Sequence, residues 1–185
     1  MIASHEYKLV FVTTPKSGSH TGFELMRKYF GAEANFNHIS KVPYEYRDYN
    51  SFSFVRNPYE RFCALYHACV VNDVKLFVPT YARTSILKYG EWLAGLNQHF
   101  AIRKDLTVRQ SKWHEYSGVK TFVQIERAQE TFNEWYPELK IVMPHELKRE
   151  HPTWKDVNTS ELKECVLKWA KSDFERFGYD ENYTG

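Results

Sequence analysis

The sequence predicts an α/β protein, a parallel sheet covered by helices. Three observations predict it. Short apolar runs bounded by turn residues, "KLVFV" (8–12), "SFSFV" (51–55) and "KTFVQIE" (120–126), read as strands. Segments with helical spacing of apolar residues follow them, so strands and helices alternate along the chain. One strand-to-helix junction, "RNPYE", carries three agreeing helix-start signals.

Taken in order, the first strand leads into "TTPKSGSHTGFELM", a strand end, a tight glycine turn and a helix start. Phe23, Met26 and Phe30 recur at helical spacing, and Gly31 is placed to stop the helix. "FNHISKVP" reads as short and extended, because Pro43 disfavours helix just before it. After the second strand, Asn57 is a good N-cap, Pro58 suits the first helical position, and Glu60 stands where a capping box needs it. "SILKYGEWLAGL" reads as helix, and "IRKDLTVRQSKW" as loops over a pocket. The third strand is followed by a helix through "AQETFNEW", and "LKIVMP" reads as a further short strand. The final helix carries Leu162, Cys165, Val166, Trp169 and Phe177 along one side, with Asn158 and Glu161 as its expected cap and Gly178 as its end.

A chain of 185 residues predicts one domain, 1–185, without repeats or low-complexity linkers. At this size about 70% of the unfolded surface is buried. A hydrophobic content of 43%, with 17% aromatic residues, excludes a disordered chain. A formal charge of +2, with acids and bases mixed, argues against a dedicated nucleic-acid binder while leaving room for a local basic pocket. Three cysteines without C-x-x-C point to a reducing compartment. The histidines form no zinc pattern, so no metal is expected. No apolar run approaches the roughly 18 residues that span a membrane, and the expected location is cytoplasmic.

In an open parallel sheet, ligands bind beyond the carboxyl ends of the strands. Two such ends offer cationic groups. In the first, Gly18 accepts backbone angles that other residues avoid, successive N–H groups form an anion nest, and the following helix adds its positive end. Lys16 adds a full charge, and Ser17, Ser19 and Thr21 add hydroxyls. In the second, Arg56 ends a strand just before a capped helix, where a guanidinium grips phosphate with two parallel bonds. Each loop alone has a plain alternative, an ordinary turn or a salt bridge. As a pair they suit a ligand with two separate anionic groups.

"PKSGS" after the first strand and "FVRNPYERFCALYH" around the second loop resemble the PAPS-dependent sulfotransferases, closest in style to the carbohydrate branch. "TFVQIERAQETFNEW" and "DFERFGYD" resemble later segments of that family, and "TVRQSKW" resembles its substrate-side segment, with Val108-Arg109 departing from the pattern. The resemblance implies a P-loop-like three-layer α/β/α fold with a central parallel sheet. It implies sulfonate transfer from PAPS to a hydroxyl, on a saccharide or a similar acceptor, with PAP as product and no metal. Lys16 would contact the bridging oxygen or the sulfonate, while Ser17, Gly18, Ser19, His20 and Thr21 supply donors to the 5′-phosphosulfate. Arg56 would hold the 3′-phosphate. His38 stands where the family often places a histidine, and its ordinary pKa of about 6.5 suits a general base. His99, Arg109 and Gln110 would face the acceptor.

Two departures bear on donor affinity. Ala64 replaces a serine of the family, a lost contact of about 1–3 kcal/mol, and neighbouring Cys63 is a poor substitute. His20 replaces a common threonine. Glu24 is an alternative base. Glu126 and His67 suit structural roles, Arg103, Lys104 and Lys112 suit an acidic acceptor or solvent, and Lys148, Arg149 and His151 suit solvent. Two other functions remain open, a P-loop nucleotide kinase and a weakened PAP- or glycan-binding protein. The first lacks a Gly-Lys-Ser/Thr ending.

Overall fold

The computed structural model describes residues 1–34, 41–72, 78–96, 106–144 and 151–185. By its contacts the chain divides into two compact units. One comprises 1–56 and 113–149, the other 57–112 and 150–185, so neither is continuous in sequence.

The first unit holds a five-stranded sheet in the order β3-β1-β2-β4-β5. Its centre is parallel, as expected. β2 (Leu9–Phe11) pairs with β4 (Asn50–Val55), and β4 pairs with β5 (Thr121–Gln124). One edge is antiparallel, which the sequence did not announce. β1 (Ile2–Ser4) folds back on β2, and β3 (Glu33–Ala34) pairs with β1.

Helices α1 (Ser19–Phe30) and α5 (Ala128–Trp135) pack on the sheet through an aromatic core. Phe11, Phe52 and Phe54 from the strands meet Phe23 and Phe30 of α1 and Phe132 of α5. The alternate side chains of β2 and its extension, Val10 and Val12, point the other way, towards Val42, Tyr46, Tyr49 and Val119. The period of two therefore separates two apolar clusters.

Gly22 sets how closely α1 approaches the sheet. A Cβ there would lie 2.2 Å from the ring of Phe11, which is fully buried and has no room to swing aside. Gly22→Ala is expected to lower the unfolding free energy by about 1–3 kcal/mol through overpacking. A urea titration checks it, and an unchanged midpoint would mean that the helix stands off the strand.

"LKIVMP" does not form the expected strand, although its burial alternates. Its backbone groups are bonded to side chains instead of to a neighbouring strand. Asn133 of α5 accepts from Ile141 N–H and donates to Ile141 C=O. The Tyr29 hydroxyl does the same for Val142, and Gln129 accepts from Met143 N–H. Alternation supplied the strand signal, but a strand also needs a partner edge.

In the second unit, α2 (Pro58–Tyr66), α3 (Ile86–Gly95), the short α6 (Trp154–Val157) and α7 (Ser160–Phe177) share a core of Tyr59, Phe62, Tyr89, Leu93, Trp154, Leu162, Val166 and Trp169. Asn57 caps α2 by accepting from Tyr59 N–H, with Pro58 in the first turn, as expected. Glu60 does not close a capping box. Its carboxylate accepts from Trp154 N–H and from the Tyr183 hydroxyl, a long-range use of the same group. The cap of α7 is Thr159, whose hydroxyl accepts from Leu162 N–H, in place of the expected Asn158 and Glu161. Gly31 and Gly178 end their helices in the left-handed region, as expected. Among the described residues no helix is long and apolar enough to cross a membrane.

Candidate functional site

The site takes shape at the carboxyl ends of β2, β4 and β5, which lie side by side. Beyond β2 the chain turns sharply at 15–18. Lys16 (φ 61) and Gly18 (φ 83) both adopt the left-handed region, with one residue between them. Such alternation turns successive N–H groups towards one side. Lysine rarely takes this conformation, and the surrounding structure must hold it there. Ser17 N–H and the Ser19 hydroxyl both donate to the carbonyl of Thr14, which closes the turn.

Gly18 is the N-cap of α1 and supplies no side chain to the first-turn N–H groups. No acid lies in that first turn, and Arg27 and Lys28 occupy the last. The helix end therefore presents donors and positive potential without an internal counter-charge. Gly18 also lies tight against the neighbouring strands. A Cβ there would meet Ile125 at 1.9 Å and Phe54 at 3.7 Å. The glycine serves both the backbone angle and the close approach.

Among the expected donor-site residues, Ser17 and Ser19 are buried, Lys16, Gly18 and Thr21 are half-buried, and His20 is exposed. Arg56 is half-buried, one residue beyond the point where Val55 pairs with Gln124, at the level where Ile125 meets Gly18. The structure thus brings the loop and Arg56 to adjacent strand ends within one unit. His38 and His99 lie outside the described residues, as do Arg103, Lys104, Lys148 and Arg149.

Arg109 and Gln110 belong to the second unit. Gln110 is fully buried and begins the short helix α4 (Gln110–Trp113). Its N–H and that of Ser111 donate to the two carboxylate oxygens of Asp173, at 2.9 and 2.7 Å. Arg61, also fully buried, donates to the carbonyls of Leu106 and Val108. Arg176 donates to the carbonyl of Ser111. The segment 106–111 is therefore clamped from α2 and α7. The "NPYER" and "DFER" motifs spend Arg61 and Asp173 on this clamp, a role that sequence reading missed.

The remaining candidates fall into structural settings. Glu24 pairs with Arg27 on α1. His67 lies beside Asn72 and the ring of His151. Glu126 is exposed in the turn after β5. Cys63 is packed in the apolar core of the second unit, and Ala64 is buried on the same helix.

Sequence reading also missed a buried histidine beneath the loop. His114 Nε2 lies 2.6 Å from Thr14 Oγ1 and 3.2 Å from Ser53 Oγ. The repeated hydroxyl residue in "TTP", at a strand end, was the available signal; nothing local marks His114.

The model of the sulfotransferase family matches residues 1–180. The chain belongs to that family, a class of transferases that move sulfonyl groups, and its α/β fold is of the family's P-loop-like kind. No curated protein and no solved structure matches it. The family match runs through both compact units.

Proposed function

We propose that this sulfotransferase takes its sulfonate from PAPS and transfers it to a hydroxyl of a carbohydrate acceptor, with residues 1–185 acting as one domain. The observation that carries the reading is the uncapped N-terminus of α1, behind a turn with two left-handed residues, next to Arg56 on the adjacent strand end. The residues suit a donor with a phosphosulfate at one end and a 3′-phosphate at the other. When bound, PAPS supplies the sulfonate and a phosphate leaving group.

The side chains take distinct parts. Lys16, the amides of 17–21 and the hydroxyls of Ser17, Ser19 and Thr21 bind the phosphosulfate and counter charge on the leaving oxygen. His20, exposed on the first turn of α1, is an additional donor to the same anion. Arg56 holds the 3′-phosphate and fixes the nucleotide lengthwise. His38 takes the proton of the acceptor hydroxyl. His99, Arg109 and Gln110 contact the acceptor. Alignment of nucleophile, sulfur and leaving oxygen then contributes most of the rate, as in phosphoryl transfer.

Isothermal titration with PAP tests the donor. Saturable binding without added metal is expected, and its absence would remove the reading's base. His38→Ala is expected to lower kcat by about 10²–10⁴-fold, the range for a general base, with a change in PAP affinity below about threefold. Binding of a glycan without transfer of label from PAPS would favour instead a protein that only binds, the reading that Ala64 invites.

A further inference from the structure

Three polar side chains meet in a buried triangle beneath the anion loop, and the Ser53 hydroxyl also lies 3.5 Å from the carbonyl of Phe54. Thr14 Oγ1 is 2.8 Å from Ser53 Oγ and 2.6 Å from His114 Nε2, and the last two atoms are 3.2 Å apart. Thr14, Ser53 and His114 are each no more than 1% exposed. They come from three segments, the end of β2, the middle of β4 and the turn after α4. Polar groups at such depth are unfavourable unless they satisfy one another. The ring of Phe122 packs edgewise on the imidazole, with centroids 4.9 Å apart. Beside it, Trp113 Nε1 donates to the carbonyl of Thr13 at 2.9 Å. Two consecutive residues, Trp113 and His114, therefore grip two consecutive residues at the end of β2.

Thr14 is also the residue on which the loop closes. Its carbonyl accepts from Ser17 N–H at 3.2 Å and from the Ser19 hydroxyl at 3.1 Å. His114 is thus linked to the turn that carries Lys16 and Gly18 through Thr14, whose side chain it holds and whose carbonyl closes the turn.

We propose that His114 is a positioning residue of the donor loop. By holding the Thr14 side chain it fixes the Thr14 carbonyl, which in turn sets the direction of the loop amides before an anion arrives. Donors fixed in advance need no reorganisation when charge develops, and buried polar contacts of this kind favour one arrangement of the side chains that make them. In its donor assignment the proposal rests on the reading of the loop as the PAPS site. The contrary account is that His114 only fills space against Phe122, as a leucine would.

The test uses His114→Leu, His114→Gln and Thr14→Val in the full chain. Hydrogen exchange of the loop amides 17–21 is followed without nucleotide, with α5 as the internal control. Titration with PAP and the acceptor KM are followed in parallel. His114→Leu and Thr14→Val are each expected to speed loop exchange about tenfold, the scale of one lost buried hydrogen bond, with α5 within about twofold. His114→Gln, whose amide reaches the place of Nε2, is expected to recover most of the protection. The double variant is expected to be no worse than the more affected single one, because both break one link. The PAP Kd is expected to rise about tenfold, with the acceptor KM unchanged. Unchanged loop exchange in Thr14→Val, or a glutamine variant no better than leucine, would overturn the proposal. Because the exchange measurement needs no nucleotide, a wild-type protein that fails to bind PAP would overturn the donor reading alone, and loop exchange would still decide the role of His114.

Discussion

Asp173→Ala is expected to lower the unfolding free energy by about 3–6 kcal/mol, since each of two buried bonds to a charged acceptor contributes roughly 1.5–3 kcal/mol. The carboxylate is fully buried and accepts one N–H at each oxygen, from Gln110 and from Ser111. Truncation leaves both donors without their acceptor and opens a space inside α7's packing. Asp173→Asn is not a mild replacement. Its amide nitrogen would face one of the two N–H groups, donor against donor, so it should recover at most about half of the loss. Urea midpoints of the two variants check this. A midpoint for Asp173→Ala within about 0.5 kcal/mol of wild type, the range of an ordinary surface substitution, would mean that the clamp is not formed in solution. Because the same N–H groups begin α4, the loss should also loosen Arg109 and Gln110, the proposed acceptor contacts.

Lys16→Ala and Arg56→Ala should each weaken PAP binding by on the order of a hundredfold, equivalent to about 2.7 kcal/mol. The two effects have different signatures under the proposed reading. Arg56 is assigned to the 3′-phosphate, so its variant should bind adenosine 5′-phosphate as well as the wild type does. Lys16 is assigned to the other end, so its variant should lose affinity for both nucleotides. Equal losses of both ligands in Arg56→Ala would reject the assignment of that residue. Alanine is the right truncation at position 16. Glycine would also relax the left-handed backbone (φ 61) and so mix two effects.

Local signals carried the parts of the fold that were legible in the sequence. Gly18, Gly31 and Gly178 marked backbone angles, and Asn57-Pro58 marked a helix start, because each acts within a few residues of itself. The loop and Arg56 were legible for the same reason, since both stand at strand-to-helix junctions. What was lost depends on partners far along the chain. The edge strands β1 and β3 are two or three residues long and exist through pairing, which no local pattern reports. "LKIVMP" has a strand's alternation, but Asn133, Gln129 and Tyr29 took its backbone bonds. Glu60 looked like a capping-box residue and serves Trp154 and Tyr183 instead. Asp173 and His114 are ordinary residues in sequence, and their buried roles appear only when distant segments meet.

The tie between Thr14 and His114 spans 100 residues of chain. Closing a loop of that length costs about 4 kcal/mol of chain entropy on the (3/2)RT ln n scaling. The loop and its anchor are made at different times, because 100 residues must be added after Thr14 before His114 exists. A nascent chain halted before residue 114 therefore holds β2 and α1 without the contact that orders the turn between them. Under the proposed reading, readiness to hold an anion waits on a residue synthesised 100 positions after the turn that would touch that anion.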